Sequence, residues 1–191
     1  MSDRGARRFS QAISEGDGIS VIVEVDDPAA AQSAQAQGAE AIGLRSALAG
    51  IHDATELPIL WLAAGSPDEA ADAGSDALVV QARDEHVAEL HRAALELGLD
   101  CVIGVANEDE LEETLDQLDP EIFLLAAEGD GDPLEQTFDL LSSVPAGKLA
   151  IALVQVPRRE HIVELERAGI DAVIVGARDV AELVGGAPPQ V

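Results

Sequence analysis

Five arginines come directly after apolar runs of the chain: Arg45, Arg83, Arg158, Arg159 and Arg178. If these runs are parallel strands, the arginines gather at one end of the sheet. All except Arg45 also stand where a helix is expected to begin, and the positive end of a helix disfavours a cation there. Guanidinium groups bind phosphates and carboxylates through paired hydrogen bonds. The pattern therefore predicts an anionic small-molecule ligand at this end.

Acidic neighbours offer these arginines a different role. Arg83 is followed by Asp84 and Glu85, and Arg159 and Arg178 are each followed directly by an acidic residue. Ion pairing with such neighbours would satisfy the guanidinium groups without a ligand. In so acidic a chain this interpretation competes strongly with an anion site.

Two carboxylates close the first apolar run. Glu24 and Asp26 share one face of the predicted strand with Ser20 and Ile22. As a pair they are candidate catalytic residues for acid–base chemistry, or oxygen ligands for magnesium. The simpler interpretation is that Glu24 is a structural residue paired with a nearby arginine.

Other chemistry lacks its residues. Lys148 is the only lysine, and it precedes an apolar run instead of following one. Schiff-base chemistry needs a lysine amine, and arginine does not release its proton in proteins. The four histidines are scattered, Asp130 and Asp132 lack the distal glutamate of a calcium loop, and no glycine-rich nucleotide motif follows a strand. We expect neither a metal nor a cofactor.

A repeated phrase organises the elements that carry these residues. Its clearest copy, AGIDAVIVGARD at 168–179, has a turn glycine, an acidic residue and then four apolar residues. Similar copies occur at 37–47, 73–84 and 97–107, with a looser one at 118–130. Short apolar runs separated by helical stretches are typical of parallel strands covered on both faces.

Counting the runs gives eight strands alternating with helices. This number predicts an α/β fold, a compact (β/α)8 TIM barrel, in preference to an open doubly wound sheet. We expect a short N-terminal helix within residues 1–17, the barrel over residues 18–186 and a tail at residues 187–191. Gly169 is the glycine expected just beyond a helix end.

The charge balance limits the partners. The chain of 191 residues has 37 acidic and 11 basic residues, for a net charge of -26. Nucleic acid and anionic membrane surfaces would be repelled, so we expect neither as a partner. Abundant carboxylates with one lysine favour a halophilic protein, because molar salt screens self-repulsion. No signal peptide or long apolar run is seen, which predicts a cytoplasmic location. The oligomeric state is left open.

With these units laid out, the chain resembles the indole-3-glycerol phosphate synthases, TIM-barrel lyases of tryptophan biosynthesis. The residues that carry the likeness are Phe9 and Ala12 before ISVIVEVDDPAAA, then LPILWL, ELGLDCVIGVANEDELEETL and REHIVELERAGIDAVIVG. The resemblance covers nearly the whole chain and implies the barrel and its register, and it says less about the chemistry.

The resemblance also implies where the family's functional positions fall. Glu24 matches its first-strand acid, whereas Asp26 and Leu62 stand at the positions of its two lysines. Gly176 matches the glycine of a phosphate loop after the last strand. Residues without suitable chemistry occupy three further positions, those of a glutamate, an asparagine and a serine: Gly104, Ala126 and Ala152.

These substitutions define the functional hypotheses. The first is a catalytically degenerate barrel, similar to indole-3-glycerol phosphate synthase, that binds a phosphorylated or carboxylated metabolite. Its ligand-binding residues would be Arg45, Arg83, Arg158, Arg159, Gly176 and Arg178. The alternatives are an active carboxy-lyase of that family and a non-catalytic interaction scaffold.

Overall fold

Eight parallel strands close into a barrel in a computed structural model, which describes residues 8–15, 18–128, 131–153, 158–176 and 183. Each strand pairs with the next along the chain, and β8 pairs with β1. The fold is therefore a (β/α)8 TIM barrel, and the prediction is confirmed. The strands are β1 Ser20–Glu24, β2 Ala41–Leu44, β3 Ile59–Trp61, β4 Ala77–Gln81, β5 Asp100–Val105, β6 Ile122–Leu125, β7 Leu149–Leu153 and β8 Ala172–Val175.

Helices precede β1 and connect the strands. Side-chain caps at Asp27, Ser66, Asn107 and Asp132 accept hydrogen bonds from the first turns of four helices, so Asp132 acts as a helix cap. None of the described helices is long and apolar enough to cross a membrane. The helices are α1 Arg8–Ser14, α2 Pro28–Ala36, α3 Ile51–Ala54, α4 Pro67–Asp72, α5 Val87–Glu96, α6 Glu108–Gln117, α7 Pro133–Ser143 and α8 Arg159–Ala168.

Alternation along the strands divides the core into two layers. One set of side chains fills the barrel interior, including Ile22, Leu60, Val102, Ile151 and Ile174. The other set packs between the strands and the surrounding helices, including Val23, Ile42, Ile103 and Val173. Because both faces are buried, the strands read as continuous apolar runs, as the sequence indicated.

Helix α1 closes the end of the barrel at which the strands begin. Phe9 and Ile13 are buried in the interior layer. The Ser10 N–H donates to Asp100 Oδ2 at 2.8 Å, and the Ser20 hydroxyl donates to the Ile13 carbonyl at 3.2 Å. The open end of the barrel is therefore the opposite one, where the strands end.

The acidic residue of the repeated phrase has a structural role at the strand starts. Glu40, Asp76 and Asp171 precede β2, β4 and β8, and each accepts a backbone N–H from the strand before it. The donors are Val21, Ile59 and Ala150, at 2.7, 2.9 and 2.8 Å. We call Glu40, Asp76, Asp100 and Asp171 the strand-start carboxylates. They tie neighbouring elements together at the closed end.

Burial opposes the charge on two strand-start carboxylates. It raises the pKa of Glu40 and of Asp171, although backbone hydrogen bonds from Val21 and Ala150 act in the lowering direction. Desolvation is the larger cause for both groups. The hydrogen bonds of Glu40 and Asp171 are therefore formed at the cost of partly desolvating the two carboxylates.

Replacing Asp171 tests this role. Asp171→Ala leaves the Ala150 N–H without its carboxylate, and we expect the free energy of unfolding to fall by about 1–3 kcal/mol. Asp171→Asn keeps an acceptor oxygen and should lose less. Urea unfolding in potassium chloride measures both, with Glu164→Ala on an exposed site of α8 as the control. Equal stability of Asp171→Ala and the control would contradict the role.

The same residue has a signed pH effect. Since the folded chain holds the Asp171 proton more tightly than the unfolded chain, its contribution to stability is largest below the ordinary pKa of 3.8. That contribution falls as pH rises from 3.8 through the raised folded pKa, and Asp171→Asn should remove this part of the slope.

Candidate functional site

The inward-facing residues at the strand ends form the open end of the barrel. We call them the mouth layer and assign them by alternation from the interior core. Its members are Glu24, Gly43, Leu62, Gln81, Gly104, Ala126, Leu153 and Gly176. In this layer only Glu24 and Gln81 carry polar side chains. Six of these eight described residues are therefore aliphatic or lack a side chain.

Glu24 forms an ion pair with Arg45, which follows the adjacent strand β2. Arg45 Nε lies 2.6 Å from Glu24 Oε1, and Arg45 Nη2 lies 3.1 Å from Oε2. This fork raises the pKa of Arg45, mainly through the hydrogen bond to Glu24. Asp26 lies beyond the strand and is exposed. The geometry thus matches the structural interpretation of Glu24, and its hydrogen bonds go to Arg45 instead of to a catalytic partner.

Arg83 reaches across two strands to an unexpected partner. Its Nη1 lies 3.1 Å from Oε2 of Glu128, which follows β6. The sequence indicated pairing with Asp84 or Glu85, and a position at a helix start. Instead α5 begins at Val87, and Asp84 accepts the His86 N–H at 2.9 Å. Arg83 therefore lies in the turn before the helix, so the dipole argument does not apply to it.

Two predicted ligand-binding arginines remain without such pairing. Arg158 is the N-cap of α8 and Arg159 is its first residue, and both are exposed. Neither forms an ion pair with another residue in the described ranges, including Glu160. Gly176 follows β8, with open space where a Cβ would lie. Arg178 lies outside the described residues.

Several positions implied by the family resemblance have no acid–base chemistry here. Leu62, Gly104 and Ala126 lie in the mouth layer. Ala152 does not, because it packs in the outer layer and Leu153 faces inward. Ala152 therefore lies outside the mouth layer, although the resemblance matched it to a functional position.

The only lysine is remote from the mouth. Lys148 precedes β7 and is paired with Asp119 at the strand-start end. Trp61 also points away, into the outer layer. Within the described part of the chain, no group of three or more His, Cys, Asp or Glu could hold a metal ion.

An acidic groove lies beside the mouth. It has a volume of about 410 Å³ and is lined by residues that include Glu108, Asp109, Glu128 and Asp139. Its charge makes it unsuitable for an anion. An anion site of the kind predicted from the sequence would have to lie elsewhere on the rim.

Comparisons with known proteins support the barrel and include a partial match to one curated enzyme. No family model matches the chain. The indole-3-glycerol phosphate synthase of Salinibacter ruber (strain DSM 13855 / M31) is 32% identical over 117 residues. The match covers 56% of this chain and 42% of that enzyme, less than half of its length.

Solved structures of other enzymes are similar in fold. The N-acetylmannosamine-6-phosphate 2-epimerase of Clostridium perfringens superimposes with a TM-score of 0.75 at 15% identity, over 95% of this chain and 94% of that one. A mutant tryptophan synthase alpha-subunit from Pyrococcus furiosus gives 0.68 at 19% identity, over 87% and 98%. The chain resembles barrel enzymes. At such low identities these two likenesses show the fold alone.

A double-mutant cycle measures the ion pair at the mouth. Glu24→Gln and Arg45→Gln should each destabilise the fold, and the double variant should show a coupling of about 0.2–1 kcal/mol, since both groups are partly exposed. The coupling should shrink as potassium chloride is raised. Purely additive single effects at low salt would contradict the pairing.

Proposed function

We propose that this protein is an indole-3-glycerol phosphate synthase-like barrel that has lost ring-closing activity and binds an anionic small metabolite at the mouth. The observation that carries the proposal is the mouth layer, which lacks any amine. The 32% identity to the Salinibacter ruber enzyme supports the family likeness. The phosphate or carboxylate group of the metabolite would bind at the start of α8.

Ring closure with loss of carbon dioxide and water needs a positioned proton donor. Leu62 has no proton to give, and Lys148 lies at the other end of the barrel. Glu24 could act only after release from Arg45, whose guanidinium makes two hydrogen bonds to it. These contacts support loss of the lyase reaction.

Charge at the start of α8 supports the binding site. Arg158 and Arg159 add two cations to the positive end of a ten-residue helix. An anion there would receive backbone N–H groups and guanidinium forks together. The turns after β7 and β8 are also where TIM barrels frequently hold phosphate. Arg45 and Arg83 contribute less, because carboxylates already neutralise them.

The alternative is an active lyase of the tryptophan pathway. The identity to the Salinibacter ruber enzyme favours it, because that relative is named for this reaction. Under this alternative, Glu24 and Asp26 would be the catalytic pair. Activity then distinguishes the two proposals directly.

A turnover assay decides between them. We expect no indole-3-glycerol phosphate from purified protein and the linear precursor of the ring closure, measured by product fluorescence in molar potassium chloride. Confirmed folding by circular dichroism under the same conditions makes a negative result interpretable. Turnover that disappears in Glu24→Gln would establish the active lyase.

Phosphate binding tests the anion site. Inorganic phosphate should bind the wild-type protein, and the double substitution Arg158→Ala with Arg159→Ala should weaken binding about tenfold or more, as expected for charge-assisted hydrogen bonds. Arg167→Ala, near the other end of α8, is the matched control and should bind normally. Calorimetric titration at the lowest salt that keeps the fold measures all three. If Arg167→Ala weakened phosphate binding equally, the effect would come from the net charge and not from a site at the start of α8.

A further inference from the structure

Gln81 is a polar side chain that the ion pairs of the mouth leave unused. It is the last residue of β4, and Val79 two positions earlier packs into the interior layer. Alternation therefore directs Gln81 inward, and its side chain is exposed at the open end. No hydrogen bond joins its carboxamide to another residue of the described ranges.

Gly104 provides the surface on which this carboxamide lies. The two residues are partners in the β4–β5 register. A Cβ added at Gly104 would lie 2.9, 3.0 and 3.1 Å from the Oε1, Nε2 and Cδ atoms of Gln81. Any larger residue would displace the amide. Glycine at this position thus leaves the space that the amide occupies.

The surroundings of Gln81 favour an uncharged partner. Arg83 and Glu24, two charged residues at the same end of the barrel, already form ion pairs with Glu128 and Arg45. The other side chains of the mouth layer are aliphatic. A carboxamide both donates and accepts hydrogen bonds, as an alcohol hydroxyl does.

We propose that Gln81, seated on Gly104, binds a hydroxyl group of the metabolite whose anionic end is bound at the start of α8. The ligand class is then a hydroxylated phosphate ester or carboxylate instead of a simple anion. This inference rests on the proposed anion site. It assigns Gln81 to specificity and not to charge neutralisation.

The test compares two probes, inorganic phosphate and ribose 5-phosphate, by calorimetric titration. The wild-type protein should bind ribose 5-phosphate more tightly than phosphate. Gln81→Leu should reduce this preference about threefold to tenfold while leaving the affinity for phosphate unchanged, the loss expected for one neutral hydrogen bond. Gln117→Leu, on the exposed end of α6, should change neither affinity.

Gly104→Ala provides a second variant that keeps the amide but moves it. Because the backbone of Gly104 lies outside the left-handed region, alanine is tolerated and the flexible Gln81 side chain must shift. We expect the same loss of preference as in Gln81→Leu, with no further loss when the two substitutions are combined.

The outcomes separate this inference from the proposed function. Phosphate binding with no preference for ribose 5-phosphate, or a preference unchanged in Gln81→Leu, overturns the role of Gln81 alone. Absence of binding for both probes overturns the anion site as well. Additive losses in the Gly104→Ala and Gln81→Leu combination would show that Gly104 does not act through the amide.

Discussion

Closure of eight parallel strands is the constraint on which this molecule depends. A closed sheet has no free edge, and both of its faces are covered, one by the interior layer and the other by helices. Polar side chains of the strands are therefore confined to the strand ends, as at Ser20, Glu24 and Gln81. At one end the strand-start carboxylates and α1 close the structure. At the other end the mouth layer and its surrounding turns face solvent.

This division explains how the fold can persist while the chemistry changes. Hydrogen bonds that tie neighbouring elements, such as Asp171 to Ala150 and Asp100 to Ser10, lie at the closed end. Substitutions at Leu62, Gly104 or Ala126 do not touch them. In TIM barrels generally, stability resides at this end and activity at the opposite one. A mouth layer with few acid–base groups is therefore compatible with an intact barrel.

The barrel could be predicted from the sequence because strands that are buried on both faces must be apolar along their whole length. Each strand is a short apolar run, and the caps at Ser66 and Asn107 signal helices locally. The acidic residue that precedes an apolar run was recognisable in the sequence because it recurs in the repeated phrase. The backbone N–H group that donates to it could not be recognised in this way. Glu40 bonds Val21 across 19 residues, and that contact exists only once β1 and β2 pair.

The site was harder to predict because it depends on register and on distant partners. Arg45 and Glu24 close adjacent strands, so their pairing was foreseeable as one alternative. Arg83 and Glu128 are 45 residues apart and meet only through the order of strands. In β7, Leu153 faces inward and Ala152 packs outward, and a shift of one residue in register would exchange the two faces.

The net charge of the chain affects how the arginines at the rim should be interpreted. In a chain of net charge -26, carboxylates far outnumber guanidinium groups, and Arg45 and Arg83 each form an ion pair with a carboxylate. Such pairs are partly exposed and stabilise little in water, so they are readily rearranged. Arg158 and Arg159 are different because they stand together at the positive end of a helix, where both the dipole and their mutual repulsion oppose them. Binding of an anion would relieve both effects at once, which is the physical reason for proposing the site there.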